Sequence, residues 1–166
     1  YSRHPEQTGG NMAVTKIYHI KCRIDRVLKN ICDYEKTENG LLITSHKCQH
    51  QTAEYEFKFK KKSMNSNVKN IAFHVIQSFR KGEVTAEQAH EIGLETMKIF
   101  LNNEYEFIIA THTDKQNIIN HVLINSVNYK TGKSFSTQHD RKYSPAWKKI
   151  KEISDQICTE RNLSII

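Results

Sequence analysis

Several things are scarce or missing in this chain of 166 residues. No apolar run approaches the ~18 residues of a membrane span, so no membrane-crossing helix and no membrane partner are expected. No secretory apolar core stands near the start, which makes the cytoplasm the default address. The four cysteines, Cys22, Cys32, Cys48 and Cys158, are widely spaced and form no CxxC pair. A zinc ribbon needs such pairs, so they are read as reduced packing residues. Internal repeats and low-complexity segments are absent. Hydrophobic residues reach only 37%, yet 7 Phe, 7 Tyr and clear apolar periodicity argue against disorder. Acidic residues are also short: 18 Asp and Glu face 25 Lys and Arg, a net charge of +7. That excess suits a polyanionic partner, nucleic acid before anionic membrane. The length allows one domain with a single sizeable core.

Residues 1–11, YSRHPEQTGGN, show no periodicity and are read as a tag or vector remnant. Residues 12–166 are read as one domain, whose end NLSII suggests trimming from something longer. Ala13 to Ile20 alternates and predicts a strand. Arg23 to Asp33 has helical spacing. A short strand is expected over Leu41 to Ser45, and a basic amphipathic helix over Thr52 to Met64. Lys58, Lys60, Lys61 and Lys62 crowd the far end of that helix, as a solvated face or a phosphate-contacting one. Asn70 to Phe79 reads as a central strand. Thr85 with Gln88 makes a capping box for a helix running to about Leu101. Strands follow over Tyr105 to Thr111 and Asn120 to Asn128. A turn at Tyr129 to Gly132 leads to a short strand around Ser134 to Thr137. Ser144-Pro145 opens a final helix. The order β-α-β-α-β-α-β-β-β-α predicts an α+β fold, a mainly antiparallel split-βαβ sheet with flanking helices.

The densest polar cluster is THTDKQNIINHVLIN, residues 111–125. It ends one buried strand and enters the next. If those strands pair, His112 and His121 can point into the same space, with Asp114, Asn117, Asn120 and Asn125 nearby. Two imidazoles with a carboxylate or amide oxygen suit a divalent metal. The plainer alternative is that one His caps a strand and the other packs. His74, on the central strand, reads first as a buried, hydrogen-bonded histidine. Lys130, Lys133, Arg141, Lys142, Lys148, Lys149 and Lys151 face only Asp140 along residues 130–151. With Lys58 to Lys62 they could line a track for a DNA strand. Tyr143 and Trp147 lie within that stretch, and core packing is the first role expected of Trp147.

Several boxes carry a family resemblance: MAVTKI at the start, TAEYEF, HVIQSFRKGEVTAEQAHEIGLE, ATHTDK…NHVLINSVN and ISDQIC…NLSII. Together the chain resembles the relaxases, the mobilisation nucleases of plasmids and integrative conjugative elements, and above all those of Gram-positive bacteria. The resemblance implies a fold of the HUH endonuclease type. It also implies nicking of single-stranded or hairpin DNA at a transfer origin by a tyrosine that stays bonded to the 5′ phosphate. A His-held divalent metal polarises that phosphate, and accessory relaxosome proteins are possible partners. Carried over by motif, His112 and His121 are metal ligands, with Asp114, Asn125 and His74 supporting. The family's HxDxxHxHNH pattern is broken at Asn117 and Ile119, where histidines usually stand. Ile cannot bind a metal, so Asn117 or Asp114 is expected to complete the set, which tilts the ion toward Mn²⁺ or Mg²⁺. The tyrosine box is altered too. KNICDYEKT lacks the usual NP, and a gapless match puts Asn30 at the tyrosine position. A short deletion puts Tyr34 there, which makes Tyr34 the expected nucleophile and Tyr18 the alternative. A non-cleaving, origin-binding relative with a decayed site is the competing expectation.

Overall fold

The computed structural model describes residues 14–134 and 145–161. Along the chain run β1 (Val14–Ile20), α1 (Ile24–Ile31), β2 (Ile43–His46), α2 (Ala53–Ser63) and β3 (Ala72–Phe79). Then come α3 (Ala86–Leu101), β4 (Phe107–His112), β5 (Ile118–Asn125) and α4 (Pro145–Glu160). The strands form one five-stranded sheet in the order β1-β3-β5-β4-β2. Every neighbouring pair is antiparallel. The α+β architecture is thus the one the sequence predicts, with helices on both faces. Of the expected strand around Ser134 to Thr137, Ser134 is not in a strand and the rest lies outside the described residues. So do residues 1–11, Arg141, Lys142 and Tyr143.

Strand alternation sends successive side chains to opposite faces. On one face Phe73, Val75, Phe107, Ile109, Val122 and Ile124 pack against Met97 and Leu101 of α3 and Ile150 of α4. On the other, Ala72, Ile108, Ala110 and Leu123 pack against Ile24, Leu28 and Ile31 of α1 and Ala53 and Phe57 of α2. Trp147 is buried, and its indole N–H donates to the Thr15 carbonyl of β1 at 2.8 Å, so α4 is pinned across the sheet edge. The described cysteines are all free thiols. Cys158 is buried with Phe79 and Ile92, and Cys32 and Cys48 pack beside α1 and α2. Among the described residues no helix is long and apolar enough to cross a membrane.

Helix α3 starts where its capping box dictates. The Thr85 hydroxyl accepts from the Gln88 amide at 3.0 Å, and the Gln88 side chain accepts from the Thr85 N–H at 2.9 Å. Its middle lies very close to the sheet because residue 93 has no side chain. A Cβ there would come 2.4 Å from Ile109 Cδ1 and 2.6 Å from Asn120 Nδ2. Gly93→Ala should therefore destabilise the domain by ~1–3 kcal/mol, because overpacking outweighs the helix propensity gained. Thermal unfolding followed by circular dichroism checks this, and an unchanged melting temperature would contradict it.

Candidate active site

The histidines lie on the α1/α2 face of the sheet. His112 ends β4, His121 lies inside β5, and β4 pairs with β5 so that His121 faces Ala110 and His112 faces Ile119. Residues 110 and 112 share a face, as do 119 and 121, so both imidazoles emerge on one side. Their ring centroids are 4.3 Å apart. The β3–β5 pairing sets His74 diagonal to His121. The His74 Nε2 and His121 Nδ1 atoms share a hydrogen bond of 2.9 Å, with ring centroids 5.1 Å apart. A third imidazole thus joins the pair read from the sequence. Tyr18 of β1 lies across from His74, with ring centroids 6.2 Å apart.

Burial keeps these rings neutral. It lowers His74 to about 4, helped by the nearby His112. It lowers His121 to about 3, with added pressure from His112 and His74. His112 is also lowered, chiefly by burial, while its hydrogen bond to Ile31 opposes the shift. In that bond His112 Nε2 donates to the Ile31 carbonyl at the end of α1, at 2.8 Å. The loop after α1 is tied in as well, because the Thr113 amide donates to the Lys36 carbonyl at 2.9 Å.

Behind the histidines, on the opposite face, a directional hydrogen-bond chain crosses the sheet. The Thr111 hydroxyl donates to Asn120 Oδ1 at 2.6 Å, so it must accept from His90 Nδ1 at 2.8 Å. His90 Nε2 then accepts from the Thr44 hydroxyl at 2.6 Å. Asn120 Nδ2 donates to Gln77 Oε1 at 2.8 Å and to the Ala89 carbonyl at 2.7 Å. Gln77 Nε2 continues to the Ser154 hydroxyl at 2.8 Å. Thr111 precedes His112 and Asn120 precedes His121, so this buried chain fixes the strand segments that carry both rings. Sequence reasoning grouped Asn120 with the histidines, whereas strand alternation turns its side chain to the opposite face. His90 and Gln77 carried no such signal, because their partners are distant in sequence.

The description "Relaxase: MobA/VirD2-like, nuclease domain" matches residues 26–163. The chain belongs to the relaxase family. Its relatives include the rlx protein of Staphylococcus aureus, 34% identical over 155 residues, which are 93% of this chain and 44% of that protein. Another is the group II intron-interrupted relaxase LtrB of Lactococcus lactis, 36% identical over 118 residues, 66% of this chain and 21% of that protein. The relaxase chain therefore spans less than half the length of these curated relatives. A solved structure titled "Molecular Basis of Vancomycin Resistance Transfer in Staphylococcus aureus" shares the fold. Its TM-score is 0.51 at 12% identity, covering 92% of this chain and 95% of that one.

Other sequence-read positions of the relaxase domain fall apart in space. Asp114 and Asn117 are exposed in the β4–β5 turn. Asn125 is buried at the far end of β5, where it donates to Glu106 Oε1 at 2.8 Å and caps the Val127 amide. Four residues of strand, ~13 Å, separate it from His121. Tyr34 is 52% exposed and its ring stands beside His50, 6.2 Å between centroids. That ring also lies over Gly40, where a Cβ would come within 3.0 Å of it. Asn30 accepts from the Lys36 ammonium at 2.9 Å.

The described lysines of the expected track fall on more than one face of the sheet. Lys58, Lys61 and Lys62 line a cleft of about 520 Å³ with Phe57 and Ile71. Lys60 turns aside and lies over the Tyr129 ring. The turn carrying Lys130 and Lys133 abuts the end of α2, since a Cβ on Gly132 would sit 3.4 Å from the Met64 carbonyl. Lys148 belongs to α4, which packs on the other face of the sheet from α2.

Relaxases are generally metal-dependent, and the donor chemistry here fits a divalent ion. Imidazoles that stay neutral keep a lone pair for a metal, and His74, His112 and His121 are all held neutral. As packed, His74 Nε2 and His121 Nδ1 bond each other and His112 Nε2 bonds Ile31, and among the described residues no three His, Cys, Asp or Glu side chains form a cage.

Proposed function

We propose that this chain is the nicking domain of a longer relaxase, acting on single-stranded or hairpin DNA at a transfer origin. The observation that supports it most is the group of His74, His112 and His121 on one sheet face in a chain of relaxase family. These three residues would hold the ion, with Asp114 and Asn117 on the adjoining turn as further oxygen donors. The metal would neutralise charge on the scissile phosphate and orient it for in-line attack. Three imidazoles favour Mn²⁺ over Mg²⁺, because nitrogen donors suit the softer ion.

In the reaction a tyrosine Oη bonds to phosphorus as the bond to the 3′ oxygen breaks. The tyrosine proton is lost and the departing oxygen takes one up. The 5′-phosphotyrosine conserves bond energy, so the same site can reseal the strand. Tyr34 is the proposed nucleophile. Its half-exposed ring lies in the loop whose Lys36 carbonyl bonds Thr113, next to His112. Tyr18 is the second candidate, supported by its position beside His74. Phosphate contacts are assigned to Lys58, Lys61, Lys62, Lys130 and Lys133, which cluster around the end of α2. Accessory relaxosome proteins are further proposed partners.

A second reading, an origin-binding relative that does not cut, is favoured by Ile119 opposite His112 and by Asn30. One assay separates the two. Oligonucleotides tiled across DNA flanking the gene are incubated with protein and Mn²⁺ or Mg²⁺, then run on a denaturing protein gel. The expected result is a metal-dependent DNA-linked band that Tyr34→Phe abolishes. A band that survives Tyr34→Phe and disappears in Tyr18→Phe moves the nucleophile to β1. Tight hairpin binding with no covalent band under either metal establishes the second reading.

A further inference from the structure

Helix α2 presents two opposite stripes. At ~100° per residue, Ala53 and Phe57 fall on one side and Tyr55, Lys58, Phe59 and Lys62 on the other. The first pair is fully buried against the sheet, at 0% and 1% exposure. Tyr55 is 67% exposed and Phe59 69%, flanked by the exposed Lys58 and Lys62. Lysines in the last turn have a local explanation, because positive charge there offsets the helix dipole. Two large aromatic rings held in water, one helical turn apart, have no such explanation.

The surroundings narrow what could cover them. The cleft of about 520 Å³ lined by Lys58, Lys61, Lys62, Asn65, Ser66 and Asn67 adjoins the stripe. The acids of the helix are engaged within it or at its start. Glu54 meets Lys58 at 3.5 Å, and Glu56 accepts from the Thr52 hydroxyl and the Gln49 amide. Helix α2 also covers the sheet face that carries the histidines, so its outer surface and that group lie on the same side of the sheet. Aromatic faces alternating with cations beside a basic cleft match the chemistry of single-stranded nucleic acid, whose bases stack and whose phosphates need charge.

We infer that the exposed stripe of α2 is a single-strand DNA platform, with bases stacked on Tyr55 and Phe59 and phosphates held by Lys58, Lys62 and the adjoining cleft. This rests on the DNA-binding part of the proposed function and adds to it a site that acts without base-sequence readout.

The test uses the whole chain and a fluorescein-labelled oligothymidine strand, followed by anisotropy across a salt series. Tyr55→Ala with Phe59→Ala should weaken binding about tenfold or more at every salt concentration and leave the salt slope intact. Lys58→Gln with Lys62→Gln should instead flatten the slope by ~1 to 2. Phe59→Tyr should keep the affinity, and Phe59→Leu should lose it, because leucine is apolar but cannot stack. All four positions are exposed, and circular dichroism melts confirm that the variants fold. Wild-type affinity in the Tyr55/Phe59 double variant overturns the inference and leaves DNA binding by the domain standing, as a protein-docking role for the stripe would predict. Leucine serving as well as tyrosine at position 59 also overturns it. A wild-type chain that ignores the strand altogether overturns both this inference and the DNA reading beneath it.

Discussion

Asn120→Ala should lower the stability of the domain by ~3–5 kcal/mol and its melting temperature by about 10 °C or more. The side chain is wholly buried and makes hydrogen bonds to Thr111, Gln77 and the Ala89 carbonyl. Truncation leaves Gln77 Oε1 without its donor, at ~1–3 kcal/mol, and takes one of their bonds from the Thr111 hydroxyl, which keeps His90, and from the Ala89 carbonyl of α3. It also opens a void beneath Gly93, which has no side chain of its own to fill it. Thr111→Val, nearly equal in volume, should cost less, ~1–2 kcal/mol, because it removes one hydroxyl and strands only His90 Nδ1 and Asn120 Oδ1. The chain backs the strand segments bearing His112 and His121, so both variants should also weaken binding of the proposed ion, with Mn²⁺ as the probe, by ~10-fold. Chemical denaturation and titration calorimetry on the same samples measure the two effects. A melting temperature for Asn120→Ala within a degree or two of wild type would show that the chain contributes little.

Stability should also collapse in mild acid. His74 is lowered from the ordinary 6.5 to about 4 and His121 to about 3, in both cases chiefly by burial. The unfolded chain takes up protons on these rings as pH falls through 6.5, while the folded chain refuses them until well below. Proton uptake is therefore greater in the unfolded state across that window, and stability declines as pH drops from about 6.5 toward 4. The loss is on the order of 3 kcal/mol for each ring over the window, and it is absent above pH 7, where both states are neutral. His74→Gln with His121→Gln should remove most of this slope, whatever it does to stability at pH 8. Urea unfolding at several pH values reads the effect directly. A flat profile between pH 7 and 5 in the native chain would mean that the rings accept protons freely in the folded state.

Much of the fold was legible because local rules and global packing agreed. Thr85 and Gln88 announced the start of α3, and both bonds of that capping box form. The apolar, β-rich run 70–79 and the alternation along 120–128 mark strands that pair with each other. The start of β5 was read two residues late, since Ile118 and Ile119 follow a polar run and carry little alternation themselves. Of the candidate site, His112 and His121 were readable as neighbours because a short turn joins their strands. His74 reads first as a packing residue, since its partner is 47 positions away. The lysines read as one surface fall on opposite faces, because α2 and α4 pack against different sides of the sheet.

By itself, the sequence determined the charge, the helix and strand periods, the start of α3 and the ordered boxes that mark the relaxase family. These follow from interactions within a few residues or from composition, and no distant partner is needed to express them. Only the tertiary structure decided that β3 lies between β1 and β5, which brings His74 to His121 and Tyr18 to His74. It alone turned Asn120 away from the histidines into a buried chain with His90 and Gln77. Strand order depends on how apolar faces of the whole sheet are covered, and a one-residue step along a strand reverses a side chain's face. The positions that assemble the site are therefore set by the packing of the complete sheet.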